Sequence, residues 1–421
     1  MPSAIDTPLL RNSNFRWLLG GGLISMLGDQ FSMLALPWLV LSLTGDSLSL
    51  GIAVALMGAP RAVLILLGGT VADRYSPRRV LLLSKYANAV ILLALAGLLM
   101  LDQASLALAY AAALALGIAS AFAIPAGTAI LPQAVPPQAL QNANGLQMGA
   151  RQLSLLAGPL LAALVLGTHE GGQKTPMAAL AAAFAIDALT FVFSAWTLRQ
   201  VTLRPLAVAA AQGMWRDMAA GLSMVWRDMP LRSCYIYWAV VAFFVMGPLQ
   251  VALPVLASER LHGAAALGLL MGAHGAGTLA GMLASSLGGA WLRRRFGATL
   301  LAVDAIVAIL LMALGQIETA WQGAALLAVT GLLGGYVQVA IFTWIQRRVA
   351  PAMLGRAMAV FMGIFLGLAP LSAAITGALL RHLSVGELFC AGGALLLAAA
   401  IAAALLTDIA RIAATDYVTQ P

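Results

Sequence analysis

The chain has 421 residues, of which 62% are hydrophobic and only 9% charged, and its mean hydropathy is +0.95. Soluble domains run at about 45–50% apolar and about 25% charged, so too few polar side chains are present to coat the domains such a length would form. The composition excludes a soluble enzyme, a secreted factor and a nucleic-acid-binding module, and leaves an integral membrane protein.

The head, Met1 to Arg16, has no cleavable-leader pattern and carries Asp6, Arg11 and Arg16. From Trp17 onward, apolar stretches of about 20 residues or more follow one another, each long enough to cross the hydrocarbon core as a helix. Twelve are predicted, at roughly 17–43, 48–72, 80–101, 105–131, 142–167, 177–198, 232–257, 264–290, 298–316, 320–345, 356–380 and 386–407. The expected fold is an all-α membrane protein of two pseudo-symmetric six-helix bundles, 1–198 and 232–421, joined by a cytoplasmic linker, 199–231. Small residues four apart, at Gly277 and Gly281, Gly331 and Gly335, and Gly363 and Gly367, would let helices approach closely.

The net charge of +8 is explained by position. With the N-terminus inside, 18 of the 23 basic residues fall on the cytoplasmic side, Arg74, Arg78, Arg79 and Lys85 among them, and three (Lys174, Arg260 and Arg381) fall outside. That asymmetry is a positive-inside pattern with both termini cytoplasmic, and it removes the nucleic-acid reading of a basic chain. In the linker, Trp-Arg-Asp-Met occurs at 215–218 and again at 226–229. Eleven residues is close to three helical turns, which puts both tryptophans on one face with Met218, Leu222 and Met229, as in an amphipathic helix lying on lipid headgroups. The halves also echo one another. Gly69 to Arg79 parallels Gly289 to Arg295, Ala35-Leu36-Pro37 parallels Ala252-Leu253-Pro254, and Pro159 parallels Pro370, as a duplicated six-helix unit would.

Two motifs carry a family resemblance. Gly69-Thr70-Val71-Ala72-Asp73-Arg74-Tyr75-Ser76-Pro77-Arg78-Arg79 resembles the loop signature between helices 2 and 3 of the major facilitator superfamily. The resemblance implies a latch that closes one conformational state, formed by Gly69, Asp73, Arg74 and Arg78. Ser76 stands where that loop usually has glycine. In the fifth segment, Gly145, Ser154 and Gly158-Pro159, then Ala162-Ala163, resemble the antiporter signature of drug exporters, with three of its glycines replaced by Ser or Ala. The signature arginine of many drug:proton antiporters has no counterpart between Ser105 and Leu131. The resemblance is therefore to the macrolide-efflux branch, supported by Gly28-Asp29, Ala35 to Trp38, Thr44-Gly45, Ile186-Asp187-Ala188 with Phe191, Pro132, Val135-Pro136 and Ala143-Asn144.

Charges inside the membrane point to a site without any family. A charge at a helix centre costs about 2.5–3.5 kcal/mol on insertion scales, yet Asp29, Arg61, Arg151 and Asp187 all fall near segment centres in the first half. Asp29, close to Arg61 or Arg151, is the expected proton-coupling carboxylate; ion pairing with a purely structural role is the competing reading for the other three. Asp304 is placed near the cytoplasmic end of its segment, as a partner for Arg293 to Arg295. His274 is the one histidine within a segment, a packing residue or a proton carrier, and no spacing supports a metal site. Cys234 and Cys390 read as small buried hydrophobes.

By the same resemblance, helices 1, 4, 7 and 10 line a central cavity, with Phe31, Trp38, Gln250, Tyr336, Gln338, Phe342 and Thr343 as candidate lining. Aromatic, apolar and amide groups suit an amphiphilic organic substrate, although each is equally readable as packing or lipid-facing. The expectation is an exporter working by proton antiport and alternating access in a bacterial inner membrane, monomeric, with no cofactor beyond the proton gradient. A lysophospholipid flippase or siderophore exporter on the same fold, and a transport-dead sensor or scaffold, are the alternatives. No phosphate-binding Gly-rich loop with Lys is present for ATP-driven transport, and no nucleophile–base set supports an enzyme.

Overall fold

In the computed structural model, residues 9–167, 176–203, 214–261, 263–285 and 295–412 are described. Twelve helices among them are long and apolar enough to cross a membrane. The first six are α1 (Ser13–Thr44), α2 (Ser47–Tyr75), α3 (Pro77–Met100), α4 (Leu106–Ala134), α5 (Leu140–Leu166) and α6 (Met177–Arg199). After α7 (Met214–Arg227), a short helix of the linker, come α8 (Met229–Glu259) and α9 (Ala264–Ser285). The last four are α10 (Phe296–Leu314), α11 (Ala320–Arg348), α12 (Pro351–Leu379) and α13 (Val385–Leu406).

The ends of these helices are written in the sequence. Asn12 caps α1 by accepting from Phe15 N–H at 3.2 Å, and Gly45, at φ 62°, closes it by donating to the Leu41 carbonyl at 2.8 Å. Ser105 caps α4, and reciprocal capping boxes start α11 (Thr319 with Gln322) and α13 (Ser384 with Glu387). Ser76, ahead of Pro77 at the start of α3, has φ 81°, a left-handed conformation that suits glycine. The position where the superfamily loop usually has glycine thus keeps the glycine backbone with a serine in it. In α8, Pro248–Ala252 form a π-helical turn just ahead of Pro254, whose missing N–H already interrupts the regular hydrogen-bond ladder.

The chain divides into two compact units. The first comprises Met1–Gly45, Leu56–Ala211 and Gly263–Gly268, and the second Asp46–Ala55, Gln212–His262 and Leu269–Pro421. In the first unit, glycines bring helices into backbone contact: Gly68 of α2 lies on the Ala121 carbonyl of α4, and Gly117 of α4 on the Met57 carbonyl. Gly268 of α9 rests against Ala163 and Pro159 of α5. Phe15, Val80, Ile130, Leu131 and Leu198 form an apolar core near the Tyr75 end of α2.

The second unit is centred on aromatic packing. Trp238 meets Trp344, Phe361 and Tyr235 at ring-centroid distances of 6.0, 5.4 and 5.5 Å, and Phe296 stacks on Trp344 at 5.4 Å. Asp228 caps α8 through Leu231 N–H and pairs with Arg348 of α11 at 3.1 Å. Gly277 and Gly281 of α9 cross Gly331 and Gly335 of α11 backbone to backbone, as their spacing suggested, whereas Gly363 and Gly367 have nothing within 4 Å of a would-be Cβ. The first turns of α2 pack on α12, where Gly51 faces Gly377 and Ala373. There Ser47 Oγ donates to the Gly377 carbonyl at 3.1 Å, and Arg381 Nε and a terminal guanidinium nitrogen grip Asp46 at 2.9 and 3.1 Å. Helix α7 is strongly amphipathic; Leu222, Trp226 and Met229 are exposed beside it, and Gly221 lies against Arg356 of α12. The side chains of Trp215 and Met218 lie outside the described residues.

Candidate functional site: a buried charge cluster in the first unit

On α1, Gly21, Ser25, Gly28, Asp29 and Ser32 recur at helical spacing and share one broad face. On α6, Asp187, Thr190, Ser194 and Thr197 do the same. The two faces meet because the glycines leave room: a Cβ on Gly28 would collide with Thr190 and Asp187, and one on Gly21 with Thr197 and Ser194. Asp187 is 1% exposed. Ser32 Oγ donates to its Oδ2, and Thr190 Oγ1 donates to its backbone carbonyl at 2.7 Å and lies 3.3 Å from Oδ1.

The cation facing these acids is Lys85 of α3. Its closeness to Arg78 and Arg79 in sequence groups it with the cytoplasmic charges, but α3 begins at Pro77, so Lys85 stands more than two turns along the helix and turns inward. It is 9% exposed, its Nζ donates to Ser25 Oγ at 3.2 Å, and it sits 5.7 Å from the centroid of the Phe191 ring. Lys85 interacts electrostatically with both Asp29 and Asp187, and Arg61 of α2 with Asp29. The cluster therefore holds two carboxylates and two cations, formally neutral, as buried charges in a membrane must be. Arg61 Nε has no hydrogen-bond partner among the described residues.

Asp29 and Asp187 differ in how they are held. Asp187 is hydrogen-bonded by two hydroxyls, whereas no hydrogen bond reaches the Asp29 carboxylate among the described residues, and Asp29 is only half-buried. Arg151 stands apart, exposed on α5. Of the two arginines expected near Asp29, Arg61 is the one that faces it.

The residues expected to form a latch make separate contacts where they are described. Gly69 makes only ordinary contact with Pro125, at 3.9 Å, while its neighbour Gly68 takes the close approach. Arg74 is exposed with its guanidinium 5.7 Å from the Tyr75 ring. Arg78 donates to the Arg199 carbonyl at 2.6 Å, where a cation complements the α6 C-terminus. The Asp73 side chain lies outside the described residues. In α5, Gly158 accommodates the Gln30 side chain, Pro159 is buried, Ser154 Oγ donates to the Ala150 carbonyl at 3.0 Å, and Gly145 has no neighbour within 4 Å.

The proposed cavity residues are of two kinds. Phe31 and Trp38 are buried, at 7% exposure each. In the second unit, Gln250 lies half-buried in the π turn, Gln338 is exposed, and Tyr336, Phe342 and Thr343 are half-buried, Phe342 against Phe361 at 5.6 Å. Asp304, two turns into α10, is 6% exposed beside Tyr237, and its Oδ2 has no hydrogen-bond partner among the described residues. Of its expected partners Arg293, Arg294 and Arg295, the first two lie outside the described residues and Arg295 stands just ahead of α10. Half-buried His274 lends its carbonyl to the α9–α11 crossing at Gly331. No group of three or more His, Cys, Asp or Glu side chains able to hold a metal occurs among the described residues.

Comparison with known proteins follows the fold. The chain is 29% identical over 278 residues to the uncharacterized MFS-type transporter y4rN of Sinorhizobium fredii, a match spanning 65% of each chain. It is 27% identical over 386 residues to the multidrug efflux pump Tap of Mycobacterium tuberculosis, covering 88% of each. Among solved structures, an auto-inhibited POT family peptide transporter superposes with a TM-score of 0.72 at 12% identity, over 97% of this chain and 98% of that one. The sequence model of the Major Facilitator Superfamily matches residues 18–373, and the chain belongs to that superfamily of membrane transporters and is not an enzyme.

Proposed function

We propose that the protein exports an amphiphilic small molecule by proton antiport, with Asp29 as the coupling carboxylate. The observation that carries the reading is the contrast within the cluster: Asp187 is locked by Ser32 and Thr190, while Asp29 is half-buried, without hydrogen bonds, and opposite Lys85 and Arg61. A carboxylate held only by through-space charge can accept a proton without breaking a hydrogen bond, and its neutralisation leaves a cation unmatched. The formally neutral cluster does not select for a cationic substrate, so zwitterionic, neutral and anionic amphiphiles fit the same site. The similarity to a multidrug efflux pump and the glycine-and-proline pattern of α5 support the direction of transport. The proposed setting is a bacterial inner membrane, with both termini cytoplasmic and a single chain as the working unit.

Thermal-shift screening of the purified protein against macrolides, lysophospholipids and siderophores identifies a ligand. Flux of that ligand is then followed in proteoliposomes under an imposed pH gradient. Asp29→Asn is expected to abolish gradient-driven accumulation while ligand exchange without a gradient persists. Uphill flux at the normal rate in this variant would remove Asp29 from the coupling role.

A further inference from the structure

Lys85 enters the coupling scheme above only as a charge opposite Asp29, and its own movement is left open there. Lys85 extends from α3 past the Phe191 ring of α6 to Ser25 on α1, and it is held there by one hydrogen bond to a neutral hydroxyl rather than by a bidentate ion pair. An ammonium group on a four-carbon stem is a compact, movable charge, unlike a guanidinium fork. Ser25 lies one helical turn before Asp29 on α1 and Phe191 one turn after Asp187 on α6, so the ammonium stands between the two acid-bearing faces. One acid is fixed, because Ser32 and Thr190 hold Asp187 in place; the other, Asp29, is not.

We propose that Lys85 is a positioning residue that acts as a shared counter-ion: it faces Asp29 while that carboxylate is ionised and withdraws toward Asp187 when Asp29 takes up a proton. The inference rests on the coupling role of Asp29 and adds what proton uptake does. The proton moves from water to an Asp29 carboxylate oxygen and no other bond forms or breaks. Ammonium density then shifts from α1 toward α6, across the ring of Phe191. Because Gly21 and Gly28 hold these two helices in van der Waals contact at fixed polar side chains, a small displacement of the ammonium alters how α1 seats on α6.

The charged groups facing the pair are accounted for. Arg61 on α2 approaches Asp29 alone, α4 carries no charged side chain in Leu106–Ala134, α5 contributes only the exposed Arg151, and α6 contributes Asp187. Lys85 is thus the cation that stands between both acids, bonded to Ser25 on α1 and set against Phe191 on α6.

Infrared difference spectroscopy on the reconstituted full-length protein, titrated between about pH 4 and 10, tests this with the proton as the only ligand. The band to follow is the protonated-carboxyl stretch that Asp29→Asn deletes. Losing an opposite charge within about 4–6 Å moves a carboxylate's titration by about one to three pH units, so Lys85→Met is expected to move the midpoint of this band upward by that amount. Lys85→Arg restores the wild-type midpoint. Asp187→Asn moves it downward in the wild-type background, because a like charge is removed and because Lys85 then belongs wholly to Asp29; in the Lys85→Met background only the first part remains, so the shift is smaller. The double variant Lys85→Met/Asp187→Asn removes one charge of each sign, and so keeps the measurement available if Lys85→Met alone misfolds. An unmoved midpoint in Lys85→Met, or an Asp187→Asn shift equal in both backgrounds, overturns this inference alone. Absence of any Asp29-dependent band overturns the coupling role and this inference together.

Discussion

Two glycine pairs of identical sequence spacing meet opposite surroundings, and that contrast sets up a controlled test. A Cβ on Gly281 would fall on the Leu332 carbonyl oxygen, 2.7 Å from its carbon and 2.9 Å from Tyr336 N, and a Cβ on Gly277 would meet Ala328 and Leu332 in the same way. These are backbone atoms, which cannot rotate aside as a side chain can. In Gly281→Ala, α9 and α11 must part by about 1 Å, and a gap of that size forfeits a quarter to a half of each contact's attraction. Overpacking of this kind costs about 1–3 kcal/mol, against which alanine recovers about 1 kcal/mol of helix propensity. The expected net loss is up to about 2 kcal/mol. Gly367→Ala makes the same chemical change where nothing lies within 4 Å, so it keeps the propensity gain without the clash. Thermal unfolding in detergent, followed by reaction of the buried Cys234 thiol with a maleimide dye, reads both variants. The melting temperature of Gly281→Ala should fall by a few degrees and that of Gly367→Ala should hold or rise. Equal shifts in the two variants would refute the assignment of the α9–α11 crossing to these glycines.

Asp46 and Ser76 yield further tests. The Arg381 hydrogen bonds, with lesser help from Ser49, hold the Asp46 carboxyl well below the usual carboxylate range. Its contribution to stability is therefore complete above the unfolded value near pH ~3.9 and is lost only as pH falls below that, so wild type and Asp46→Asn should converge in acid-unfolding scans at the acidic end. With the Arg381 side chain 52% exposed, a double-mutant cycle of Asp46→Asn with Arg381→Gln should return a coupling of about 1 kcal/mol or less. Ser76→Gly relieves a left-handed serine worth about 1–2 kcal/mol of strain but adds about 0.5–1 kcal/mol of unfolded-state freedom. A gain of up to about 1.5 kcal/mol is expected in the same thermal assay.

The apolar stretches were plain in the sequence because hydropathy reports directly on the hydrocarbon core. The predicted 177–198 became Met177–Arg199, and 386–407 became Val385–Leu406. Where helices outrun the lipid, hydropathy goes silent. Thus α2 continues to Tyr75 and α11 to Arg348, because backbone hydrogen bonding and the Asp228 pair do not require apolar side chains. The site was half legible. Asp29, Arg61 and Asp187 stood out as charges in apolar runs, but Lys85 was masked by its closeness to Arg78 and Arg79 in sequence. Only the start of α3 at Pro77 and the small residues of α1 reveal that it turns inward. A lysine two turns past a proline that opens an apolar helix was the available signal. The glycine pairs make the same point, since Gly277 with Gly281 and Gly363 with Gly367 are identical in one dimension and differ only in what crosses them.

The neutrality of the cluster also has a history in time. A ribosome delivers α1 with Asp29, α2 with Arg61 and α3 with Lys85 in succession, and Asp187 follows about a hundred residues after Lys85. At about 5–20 residues per second, that interval lasts about 5–20 seconds. During it, the nascent three-helix segment carries an excess positive charge within apolar helices, where an unmatched charge is costly. The segment is therefore poorly suited to release into lipid until the sixth helix arrives. The same charges that serve the finished protein make its first half a unit of biogenesis, in which an unfinished or truncated chain is marked by the partner it still lacks.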